Sequence, residues 1–148
     1  MTNPQSTDID PFSAVVAFEP EPETTPPQLL TDRLVEWAAE VDHSMRAAVT
    51  ALVQEDAVLA RADVHALLLV DTGMRVYCEW TRFEDQYRKA LVLDTSERAF
   101  LDFVVAIAFP RQVPLWPLEH LGERRLAVIL RALASCGGSE TIAVGVRT

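Results

Sequence analysis

The stretch "VHALLLVDTGMRVYCEWTRFEDQYRKALVLD", residues 64–94, decides the fold class. It opens with an apolar run rich in Leu and Val, passes a turn signal at Asp71-Thr72-Gly73, and then alternates Met74, Val76, Cys78 and Trp80 with Arg75, Tyr77 and Glu79. That pattern predicts a β-hairpin. The second arm has one buried and one wetter face, and the first arm is buried on both sides. The end of the stretch, "QYRKALVLD", predicts a third strand over 87–93, although "TRFEDQYRKAL" can also be drawn as a short helix.

Working outward from this hairpin, the segment "LLTDRLVEWAAEVDHSMRAAVTALV" places Leu34, Trp37, Ala38, Val41, Met45, Ala48, Val49 and Leu52 at helical spacing. It predicts one long core helix, which could continue or restart after "QED" to about residue 61. Heptad steps also fit almost three repeats, but Ala38 and Ala48 are weak knobs for a dimeric coiled coil. On the other side, Asp94 followed by Glu97 resembles a capping box and opens "TSERAFLDFVVAIAF", a helix apolar on nearly every side that Pro110 ends. Prolines 110, 114 and 117 then hold the chain extended until a helix starts near Pro117 or Leu118. That helix is expected to bury Leu126, Ile129, Leu130 and Leu133 and to stop at "CGG", with "ETIAVGVRT" as a last strand.

The order helix, strand, strand, strand, helix, helix, strand predicts a single α+β domain over 29–148: a mostly antiparallel sheet of three to four strands packed with about three helices. No internal repeat is evident. Residues 1–28 are acidic and proline-rich, ending in "EPEPETTPP", and predict a disordered tail. Within that tail Phe12, Val15, Val16 and Phe18 form an apolar cluster. Two readings stand for it: a linear motif that orders on a partner, or a tail strand that folds back on this chain's own sheet.

The chain of 148 residues is 49% hydrophobic, enough for one core. Its net charge is −9. Asp8, Asp10, Glu19, Glu21 and Glu23 give the first 28 residues −5, and 17 acidic against 13 basic residues leave −4 for the rest. An acidic chain repels phosphate backbones, which disfavours direct nucleic-acid binding. Twelve of the thirteen cations are Arg, a bias that fits a GC-rich bacterial or phage genome. Two cysteines form no disulfide framework, there is no signal-peptide pattern, and the longest apolar run, "FVVAIAF", is too short to cross a bilayer. These features predict a cytoplasmic protein without membrane association.

The search for chemistry yields little. His43, His65 and His120 stand more than twenty residues apart with no Cys-x-x-Cys or His-x-x-x-His pair, so no metal or cofactor is expected. Asp42, His43 and Ser44 are consecutive and point in different directions on a helix, which cannot relay a proton. Cys136 lies at a helix C-terminus, where the dipole disfavours a thiolate, and Cys78 reads as a small core residue. Asp102, in a very apolar helix, is most simply an ion-pair partner of Arg98 one turn earlier. Arg111, Arg124, Arg125 and Arg131 form the basic cluster, either a charged stripe facing water or a dock for an acidic segment. Trp116, set between Pro114 and Pro117, is the surplus feature of the 109–120 bend, since Trp and Arg are enriched at interfaces.

The function expected is therefore that of a small acidic protein–protein interaction or adaptor protein, with a homodimer as one form it could take and no catalytic residues assigned. Its interface candidates are Phe12, Val15, Val16, Phe18, Trp116, Arg111, Arg124 and Arg131. A rival reading is a small-molecule pocket between the sheet and the 97–109 helix, lined by Tyr77, Trp80, Phe100 and Phe103. A second rival is an acidic mimic that occupies a nucleic-acid-binding partner.

Overall fold

The computed structural model describes residues 27–110, 112–139 and 141–144. Its elements run α1 (Pro27–Glu40), α2 (His43–Glu55), α3 (Ala62–Leu68), β1 (Leu69–Asp71), β2 (Val76–Cys78), α4 (Trp80–Ala90), α5 (Thr95–Ala108), a 3-10 turn (Trp116–His120) and α6 (Gly122–Cys136). The domain is mostly helical, with one two-stranded sheet among the described residues, and the α+β expectation is overturned.

The correction falls first on residues 64–94. A short apolar run satisfies a buried strand and a helix equally, and here the helical phase wins: Val64 and Leu68, four apart, are fully buried while Ala66 between them is exposed. Asp63 supports this first turn, its carboxylate accepting from the Val64 amide at 2.9 Å. The strand pairing that remains is three residues long, antiparallel, with Leu69 opposite Cys78 and Asp71 opposite Val76. Gly73 closes the turn at φ +79°, its amide donating to the Asp71 carboxylate at 2.7 Å. Only Val76 and Cys78 are buried in alternation as the hairpin reading requires; Met74 is exposed, and Trp80 is buried as the first residue of α4.

The third strand expected over 87–93 is instead the end of α4 and the link after it. Trp80, Phe83 and Tyr87 recur at three and four residues and line the buried face of α4, with Phe83 and Tyr87 stacked at 5.3 Å. Of the final strand expected over 140–148, residues 141–144 form no strand, and residues 140 and 145–148 lie outside the described residues.

The single helix expected from Leu29 onward is two. Asp42 adopts an extended conformation and caps α2, accepting from the Met45 amide at 3.0 Å. Arg46 reaches back and donates to the carbonyls of Ala38 at 3.2 Å and Ala39 at 2.7 Å, satisfying the end of α1. The corner lets α1 pack on α2 and β2. Freed from α1, α2 lies against α5 and α6 as well, and its Ala47, Ala48 and Ala51 permit close helix approach.

Helix α5 matches its expectation. Asp94 and Glu97 form a full capping box, Asp94 accepting from the Glu97 amide at 2.7 Å and Glu97 from the Asp94 amide at 3.0 Å. Phe100, Leu101, Phe103, Val104 and Val105 are buried, each such side chain stabilising the fold by about 1.5–3 kcal/mol. Arg61 ties the start of α3 to this cap through a 2.8 Å ion pair with Glu97. Helix α6 is closed at Cys136 by Gly137 and Gly138, the latter at φ +74°. Its buried face differs from the expected one: Ala127, Val128, Ile129 and Ala132 point inward, Leu126 is half-buried, and Leu130 and Leu133 are exposed.

Candidate functional site

The end of α5 and the chain after it build one wall of a surface groove. Pro110 breaks the helix, and residues 112–113 lie beside Ala106 and Ile107 of α5. Ser44 at the start of α2 and Leu133 and Cys136 at the end of α6 complete the walls, with Phe103 also lining the space. The result is an apolar groove of about 450 Å³. Leu133 is 47% exposed on its wall, and Leu130, three residues earlier on the same helix, is 42% exposed. The apolar surface thus extends out of the groove along α6.

A second, polar recess of about 270 Å³ shares Ala106, Gln112 and Val113 with the groove and continues to Glu84, Tyr87, Arg88 and Asp102. Asp102 does not pair with Arg98. Its carboxylate accepts from the Tyr87 hydroxyl and from Arg88 at 3.0 Å, joining α4 to α5. Burial, and then the Asp102 carboxylate, push the Tyr87 phenol up to about 12. The Cys136 thiol in the groove is raised by burial and by the charge of Asp42, and the Cys78 thiol is raised by burial. Neither cysteine has the depressed pKa of an activated nucleophile.

The pocket candidates do not converge. Phe103 lines the groove, whereas Trp80 and Phe100 are core residues and Tyr77 pairs with Trp37 at 6.4 Å on the other side of the hairpin. Among the interface candidates, Trp116 stands 67% exposed, its ring edge-to-face with His120 at 5.9 Å, so it does not plug the core. Arg124 donates to the Glu55 carbonyl at 3.1 Å and pairs with Asp56 at 3.3 Å. Arg131 donates to the Val144 carbonyl at 2.8 Å. Both arginines thus hold hydrogen bonds within the fold, while the Arg124 side chain stays largely exposed. Arg111, Phe12, Val15, Val16 and Phe18 lie outside the described residues.

Sequence reasoning missed Ser44, Ile107, Val113 and Leu133 as neighbours. They come from four separate segments, and the prolines of the 109–120 bend were the one local signal pointing there. Among the described residues no group of three or more His, Cys, Asp or Glu could hold a metal ion, and no helix is long and apolar enough to cross a membrane.

The described residues form a small, mostly helical fold with an open apolar groove. No protein-family model, curated protein or solved structure matches the chain.

Proposed function

We propose that the protein is a non-covalent docking module whose groove between α5, Pro110, Gln112 and Val113, and the end of α6 takes a short apolar segment of a partner protein. The observation that carries this reading is the continuity of the groove with Leu133 and Leu130, which extends the apolar surface beyond an enclosed pocket. Exposed apolar surface of this kind marks interaction sites, and helix-lined grooves take segments that present bulky anchors three or four residues apart. Trp116 and Leu115, both exposed on the bend that follows, offer a further contact.

The test is a random-peptide display selection against the full-length chain and, in parallel, against Leu133→Gln. Sequences with paired apolar anchors should be enriched on the wild-type chain and weakened at least tenfold by the substitution. Enrichment that Leu133→Gln leaves unchanged would place binding elsewhere and overturn the reading. So would the absence of any enriched sequence both on this chain and on its Phe12→Ser/Phe18→Ser variant, in which the chain's own apolar segment cannot compete.

A further inference from the structure

We infer that residues 12–18 of the same chain are the resident occupant of this groove, so that a partner segment must displace them. The inference rests on the docking reading above and adds the identity of the competitor.

Three observations converge on this occupant. The segment carries Phe12, Val15, Val16 and Phe18 within seven residues, a set of bulky anchors in an otherwise acidic and proline-rich stretch. The groove offers the complementary chemistry, with Phe103, Ile107, Val113 and Leu133 at its walls. The connection has the reach. Helix α1 begins at Pro27, and its 14 residues cover about 21 Å before a two-residue link leads to α2, whose second residue is Ser44 at the groove. Nine residue steps from Phe18 to Pro27 span up to about 30 Å, and the fifteen from Phe12 up to about 50 Å. The contour of helix and link sets the upper bound on the distance from Pro27 to Ser44 at the groove.

Tethering decides the energetics. A short linker gives an attached segment an effective concentration in the millimolar range, so a contact with a dissociation constant near 0.1 mM is about 90% occupied in cis. A trans ligand then binds with its affinity lowered about tenfold, because only the open fraction is competent. Residues 19–26 are acidic and proline-rich, a composition that favours an extended spacer of finite reach.

The experiment uses the full chain throughout. A benzophenone side chain is placed at Phe18, the protein is irradiated at micromolar concentration, and the crosslinked peptides are mapped. In parallel, alkylation of Cys136, which lines the groove, is timed in the wild-type chain and in Phe12→Ser/Phe18→Ser, with buried Cys78 as the internal standard. The expected result is a crosslink within one chain to residues 103–113 or 133–136, a Cys136 rate about tenfold higher in the double variant, and about tenfold tighter binding of selected peptides by that variant. Crosslinks joining two chains, or equal Cys136 rates together with equal peptide affinities, would overturn the inference. In that outcome peptides still captured through Leu133 leave the docking function standing, and their loss from both forms removes it as well.

Discussion

Glu55, 3% exposed at the end of α2, pairs with Arg125 of α6 at 2.9 Å, and the two residues lie seventy positions apart in the chain. Arg125 also donates to the Ser96 hydroxyl at 2.8 Å and sits over the Phe100 ring, while the second Glu55 oxygen accepts from the Val58 amide at 2.7 Å. One buried pair therefore fixes α2, α5 and α6 against one another. Removing one partner of such a pair leaves an uncompensated charge and costs about 3–5 kcal/mol. Arg125→Ala should lose that much in chemical denaturation, and an apolar replacement of both residues should lose clearly less than the sum of the single changes.

The caps at Asp42 and Asp94 set where two helices begin. Asp94→Ala removes the side-chain half of the capping box, the backbone amide of residue 94 still donating to Glu97, and should cost about 1 kcal/mol, whereas Asp94→Ser, which can still accept from the Glu97 amide, should cost only a few tenths. Asp42→Ala should cost a similar ~1 kcal/mol but by a different route, since it favours joining α1 and α2 into one helix. Thermal unfolding of the four proteins, wild type included, orders these effects. An Asp94→Ser variant as unstable as Asp94→Ala would show that the cap is not what holds the α5 start.

The contrast between these two caps explains how much of the molecule was legible. Asp94 stands at the edge of an apolar run, so its role could be read locally, as could the stop at Pro110 and the glycine close of α6. Asp42 interrupts a pattern that continues in phase on both sides, and the break depends on Arg46 folding back onto α1, a contact no periodicity reports. The fold class failed for a related reason. Residues 64–68 and 80–91 fit strand and helix periods alike, and the choice was made by packing of Val64, Leu68, Phe83 and Tyr87 into a core shared with α5. Leu130 and Leu133 were expected inside because they are leucines on a helix. The smaller Ala127 and Ala132 took inner positions instead, and Leu133 is left half-exposed on the groove wall.

The Tyr87 phenol gives the fold a pH limit. Its folded pKa is pushed up to about 12, above the value near 10 of an unfolded tyrosine, chiefly by burial and then by its bond to Asp102. The neutral phenol is favoured in the folded state, so its stability contribution is complete below about pH 10 and is lost as pH rises towards 12. Denaturation midpoints should fall over that window in the wild type and flatten in Tyr87→Phe. Asp102→Asn removes a charge that raises the phenol, and should lower the alkaline titration midpoint followed by tyrosinate absorbance.

Leu133 and Phe103 face the same groove but carry different loads. Phe103 is buried against the core, so Phe103→Ala should cost about 3–5 kcal/mol and abolish binding together with folding. Leu133 is half exposed, and Gln is a good helix former, so Leu133→Gln should change stability by less than about 1 kcal/mol. Covering the exposed part of a leucine is worth roughly 1–2 kcal/mol to a ligand. Peptide affinity should accordingly fall about tenfold at unchanged melting temperature. The two measurements must separate for the groove to be a docking site: if affinity and melting temperature fall together in Leu133→Gln, the leucine is part of the core's packing and the exposed stripe on α6 has no binding role.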